Sequence, residues 1–163
     1  PLPESQLDRF LMRISLGYPS ADAERELLVG EDRRMVLENT PSILSDVELV
    51  NIQRRVKEQH VSSALLDYVQ AILSFSRESL DYGDNSAAHQ RDGLSPRAGI
   101  ALVQAAKAWS LIDGRGHVIP EDIKAVLPSI VAHRLSTVGL DFDHDATQQR
   151  SAVEQLLNSV PIP

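Results

Sequence analysis

Two arginines stand where a guanidinium could meet an anion. Arg97 lies in "GLSPRAGIALVQAAKAW", in the opening turn of an apolar helical pattern. Ser95 is a natural N-cap there and Pro96 suits the first helical position, so the helix start is well specified. A carboxylate is the comfortable charge at that end, because a cation faces the positive end of the helix dipole. Free N–H groups combined with a guanidinium make a ready anion site, phosphate above all. The plainer account is a surface arginine whose stem covers apolar neighbours. Arg9, in "QLDRF", is the second arginine, and its plain account is an ion pair with Asp8 or Glu4.

Other chemistries find little support. His60, His89, His117, His133 and His144 share no ligand spacing, so no metal site is expected. No Ser/His/Asp set or carboxylate pair stands out, and the 23 acidic residues are spread over helix faces as solvated surface. None of the eight glycines is followed by lysine, which excludes a P-loop within these residues. There are no cysteines, so disulfides and thiolate metal sites are absent and a cytosolic compartment is expected. The net charge of −7 argues against nucleic acid or an anionic membrane as the main partner. No apolar run is long enough to cross a bilayer, and no signal-peptide pattern heads the chain. A first residue of Pro1 rather than Met suggests a piece of something longer.

The elements that must carry these arginines read as helices. The 163 residues fit one domain, or one domain and the edge of another, and at 42% hydrophobic and 24% charged they have a soluble globular composition. Aromatics are only 4%, so the core must be built from Leu, Ile, Val and Ala. Leu7, Phe10 and Leu11 are spaced for a short helix. Ile14, Leu16 and Tyr18 then alternate with polar residues and Gly17, as in a half-buried strand closed by Pro19. A lone strand wants a sheet that these residues do not supply. Ser20 caps "ADAERELLVG", which Gly30 stops, and a charged connector runs through "EDRRMVLENTPSIL". Ser45 and Glu48 form a capping box ahead of Val47, Leu49, Val50, Ile52 and Val56. "SSALLDYVQAILSFSRESL" carries a stripe of Leu65, Leu66, Val69, Ile72 and Leu73. Asp81–Gly93 reads as a mobile polar loop. The Arg97 helix buries Ala98, Ala101, Leu102, Ala105, Trp109 and Ile112 and ends at Gly114. A further helix starts at Pro120, with a break or bend near Pro128, and a last one, capped by Asp145, closes the chain. The fold class is mainly α, a helical bundle with a short N-terminal helix-strand arm.

Taken together, "PLPESQLDRFLMRISLGYPSADAERELL" and "GLSPRAGIALVQAAKAWSLIDGRGHVIPEDIKAVLPSIVAHRL" closely resemble the C-terminal third of MoxR-type AAA+ ATPases. "DYVQAILSFSRES" is similar to that family's lid helix ending in Thr-Arg, here Ser76-Arg77. The resemblance spans most of residues 1 to about 136, and the order and spacing of three motifs make it specific. It implies that residues 1–19 are the edge of the ATPase core and residues 20–140 the helical lid, with residues 141–163 a subfamily addition. Residues 14–18 become the last strand of a parallel sheet, and the P-loop and acidic Walker B segment lie upstream.

The resemblance also assigns roles. The arginine of "L-D-R-F", here Arg9, is the arginine finger that reaches a γ-phosphate in the neighbouring subunit. The arginine of "S-P-R", here Arg97, is the sensor-2 residue that contacts nucleotide phosphates from the lid. Phosphoryl transfer develops negative charge that such groups stabilise, and a finger can be worth roughly three to five orders of magnitude. ATP and Mg²⁺ are implied for the full-length protein, with neither expected on these residues alone. The implied assembly is a ring, a hexamer, acting as a chaperone that activates protein complexes, metal-cofactor enzymes included. Partners with von Willebrand factor A domains are implied, and neither nucleic acid nor membrane insertion. The alternatives are a free-standing helical adaptor without ATPase activity and the lid of a magnesium-chelatase-like subunit. Replicative helicases share a similar finger segment, but the acidic balance counts against that branch. Ile119 departs from the family's Thr before "PED", and its helix loses a side-chain cap worth about 1 kcal/mol.

Overall fold

The computed structural model describes residues 3–30, 32–78, 93–131, 133–134, 153–154 and 156–162. The named elements among these residues are all helices: α1 (Glu4–Leu7), α2 (Ala21–Val29), α3 (Arg33–Glu38), α4 (Asp46–Glu58), α5 (Ser63–Glu78), α6 (Pro96–Ile112) and α7 (Pro120–Val131). Two compact units divide the chain, Pro1–Arg13 with Arg54–Pro163 and Ile14–Gln53. No described helix is long and apolar enough to cross a membrane.

In the smaller unit, local hydrogen bonding sets the helix starts. The Ser20 hydroxyl accepts from the Ala23 N–H at 3.3 Å. The expected capping box closes in both directions, Ser45 N–H to Glu48 at 2.8 Å and Glu48 N–H to the Ser45 hydroxyl at 3.3 Å. Those bonds to Ser45 hold the Glu48 carboxyl below its ordinary pKa. The connector contains a helix that its charged pattern does not announce: α3 is capped by Asp32, which accepts from the Arg34 N–H at 3.0 Å. Residues 14–18 form no strand, and Ile14, Leu16 and Tyr18 are 70%, 93% and 100% exposed. Alternation marks a strand's two faces, but a strand exists only with a ladder partner, and the described residues offer none.

The larger unit holds the core. Leu65, Val69 and Ile72 of α5 pack with Ala98, Leu102 and Ala106 of α6 and with Ile123, Leu127 and Ile130 of α7. Val153, Leu156 and Val160 join them from the C-terminal stretch, where residues 153–154 and 156–159 are helical. The Asp145 cap and the polar stretch 81–92 lie outside the described residues. Gly99, in the first turn of α6, makes the contact between α5 and α6 close, since a Cβ there would stand 2.8 Å from Leu73 Cδ1. Three stripe positions differ from the periodic reading: Leu66 is 47%, Trp109 49% and Ile112 83% exposed. Periodicity selects a face of a helix, but burial also needs a neighbouring element at that level.

Polar groups close the α6–α7 junction. Gly114, at φ 75°, ends α6 in the left-handed conformation. Its N–H bonds the Leu111 carbonyl at 3.0 Å, and the Arg115 N–H bonds that of Ser110 at 2.9 Å, the two bonds of a Schellman motif. Asp122 supplies the cap that Ile119 lacks, accepting the Ile119 N–H at 2.9 Å. Its carboxylate, 1% exposed, also receives two Arg115 N–H groups. Burial alone would raise its pKa, but the bonds from Arg115 and Ile119 outweigh that and hold it below the ordinary value. α7 runs through Pro128 without ending there.

Candidate functional site

The site is assembled from three distant stretches: the turn after α1, the start of α6 and the turn after α7. The first is a short hydrogen-bonded turn, with the Arg9 N–H on the Gln6 carbonyl and that of Phe10 on Leu7, both at 3.1 Å. It presents Arg9, which is exposed and joins no ion pair among the described residues. Asp8, one of the two partners that the plain account of Arg9 offers, faces Arg134, whose Nε lies 3.1 Å from its carboxylate.

The start of α6 is held from α5. The buried Ser76 hydroxyl accepts the Leu94 N–H at 3.0 Å, and Arg77 Nε donates to the Leu94 carbonyl at 3.0 Å. This is what Ser76 and Arg77 do: they seat the residue that leads into Ser95, Pro96 and Arg97. Gly93 lets the chain pass close, because a Cβ there would stand 2.7 Å from Arg77 Cα. Ser95 occupies the N-cap position as expected, but its hydroxyl makes no capping bond. It donates instead to the Asp8 carboxylate, at 2.8 and 3.0 Å. Arg97 reaches the same carboxylate loosely, at 3.9 Å, and its side chain is 59% exposed.

Arg9, Arg97 and Arg134 line one cleft of ≈ 410 Å³, with Asp8, Phe10 and Leu11 on one side and Ile100 and Gln104 of α6 on another. The structure therefore brings the two sequence-selected arginines to a single site and adds a third. Arg134 is buried, its side chain 4% exposed. Each of its five N–H groups has an acceptor: the Asp8 carboxylate and the backbone carbonyls of Asp8, Phe10, Leu11 and Ile130. Its neighbour His133 is buried beside it, and burial first, then the charges of Arg134 and Arg13, hold that imidazole below its ordinary pKa. Sequence reasoning missed Arg134. The only signal available was a charged residue one turn beyond an apolar helix, and that position more often faces water.

The guanidiniums that line the cleft are donors of the kind that suit an anion. Two guanidiniums, of Arg134 and Arg97, face the Asp8 carboxylate, and the exposed Arg9 lines the same cleft. Asp8 is the anion present, and phosphate oxygens would suit the same donors. No group of three or more His, Cys, Asp or Glu that could hold a metal ion occurs among the described residues.

Comparison with known proteins agrees with this architecture. The AAA lid domain family matches residues 86–156. The chaperone MoxR1 of Mycobacterium tuberculosis is 35% identical across the whole chain. The chain belongs to the MoxR family of AAA+ proteins. Protein MoxR of Paracoccus denitrificans is 34% identical over 82% of the chain. A crystal structure of a candidate ATPase from Cytophaga hutchinsonii superimposes over the whole chain with a TM-score of 0.76 and 31% identity. The chain spans 43% of MoxR1, 43% of the Paracoccus protein and 49% of the Cytophaga chain, so it is similar to under half of each.

Proposed function

We propose that this MoxR-type chain is the finger-and-lid part of an ATP-hydrolysing ring. Arg9 is its arginine finger and Arg97 its sensor-2 residue. The observation that supports the reading is the shared cleft: two exposed guanidiniums from distant stretches of the larger unit line it. One cleft implies one nucleotide. If Arg9 reaches across a subunit boundary, Arg97 crosses with it and acts on the neighbour's ATP. Neither residue forms or breaks a bond. Each places fixed positive charge where the β- and γ-phosphate oxygens gain negative charge, which lowers the barrier to phosphoryl transfer. ATP and Mg²⁺ are held by the P-loop and Walker B segment of the full-length protein, and phosphate oxygens take the place of Asp8 at Arg97.

Residues 1–19 then form the edge of the ATPase core, 20–140 the lid and 141–163 an addition to it. The ring is a hexamer in the cytoplasm. It works as a chaperone that assembles or activates protein complexes, with metal-cofactor enzymes as clients and von Willebrand factor A domain proteins as partners.

The test uses the full-length protein. Arg9→Ala and Arg97→Ala should each abolish most ATP turnover. Mixing either with a P-loop variant should restore activity, because one intact site can form at a mixed junction. Wild-type turnover in Arg9→Ala would refute the finger. Failure of Arg97→Ala to be rescued by mixing would place sensor 2 on its own subunit's nucleotide.

A further inference from the structure

We infer that Arg134 is the positioning residue that aims Arg9, an assignment that rests on Arg9 being the finger. Four of the five Arg134 N–H groups bond residues 8, 10 and 11, the turn on either side of Arg9, and the fifth bonds the Ile130 carbonyl of α7. A turn that follows a four-residue helix has little intrinsic rigidity. Its orientation must come from outside, and Arg134 supplies it from the end of α7, which lies in the core. A second tie runs alongside, the Arg13 N–H to the Ser129 carbonyl at 2.7 Å. The guanidinium also orients the Asp8 carboxylate at 3.1 Å, and that carboxylate accepts from Ser95 at the head of the Arg97 helix. The finger turn, the lid helix and α7 are therefore joined through one side chain. Any movement of α7 is transmitted to Arg9.

Lysine cannot replace it, since an ammonium has three donors and no planar fork with which to hold five acceptors. Arg134 touches no nucleotide in this scheme; it acts through the placement of Arg9.

The experiment compares Arg134→Lys and Arg134→Gln with Arg9→Ala in the full-length ATPase, reading kcat and KM for ATP separately and helicity by circular dichroism. A misplaced finger should lower kcat by about 10²-fold, the scale of a 1 Å error in a positioned group. KM should stay within about threefold, because the P-loop still binds ATP. Wild-type kcat in both Arg134 variants, with Arg9→Ala inactive, overturns the positioning role and leaves the finger intact. A rise in KM at unchanged kcat overturns it too, as does loss of helicity in both variants, which would mark a purely structural arginine. Full turnover in Arg9→Ala removes the finger reading itself, and this inference with it.

Discussion

Removing the Ser76 hydroxyl should loosen the start of the Arg97 helix by an amount that the local geometry sets. Ser76 is 2% exposed and Leu94 1%, so neither end of their 3.0 Å hydrogen bond can turn to water. In Ser76→Ala the buried Leu94 N–H loses its acceptor, and an orphaned buried donor costs about 1–3 kcal/mol. The hydroxyl's own 2.7 Å bond to the Leu73 carbonyl adds little, because that oxygen is already within the helical ladder. The cavity from one lost oxygen is smaller than a methylene, so the orphaned donor dominates. With an m-value of about 1–3 kcal/mol/M, the urea midpoint followed by circular dichroism should fall by roughly 1 M. The Leu94 amide should exchange about tenfold faster, since each 1.4 kcal/mol is a factor of ten. Ser76→Thr keeps the hydroxyl and should hold both values near wild type. A midpoint shift below about 0.2 M in Ser76→Ala, with Leu94 protection unchanged, would refute the reasoning.

Asp122→Ala should cost about 1–3 kcal/mol in urea unfolding, because it leaves the Ile119 N–H without its acceptor, while Arg115 keeps Asp113 and the His117 carbonyl. Gly93→Ala should cost about 1–3 kcal/mol in the same assay, since the new Cβ meets Arg77 backbone at 2.7 Å and cannot be relieved by a side-chain turn. His133 predicts a pH dependence. Its folded pKa lies below 6.5, so the unfolded chain binds the proton more tightly and stability falls as pH drops below about 6.5. His133→Gln should flatten the urea midpoint between about pH 6.5 and 5, a range above most carboxylate titrations.

Local signals were legible wherever they act within a few residues. The Ser45–Glu48 box, the Ser20 cap and the Gly114 stop each depend on neighbours along the chain, and all three are present. Where the same logic met a distant partner, it failed. Ser95 holds the cap position, yet Asp8, 87 residues away, takes its hydroxyl. The plain account of Arg9 offers Asp8 or Glu4 as its partner, yet Asp8 pairs with Arg134, 126 residues away. The strand pattern of residues 14–18 is real as alternation, but the described residues offer no ladder partner to realise it.

By itself the sequence determined the helical class, most helix boundaries and the two arginines worth testing, because caps, periodicity and the spacing of "LDRF" and "SPR" are short-range properties. Tertiary structure alone decided that Arg9 and Arg97 share a cleft and that a buried Arg134 fastens the turn that carries Arg9. Both facts depend on contacts between residues far apart in the chain. Such contacts are selected by the packing of α5, α6 and α7, and they leave no periodic trace along the chain.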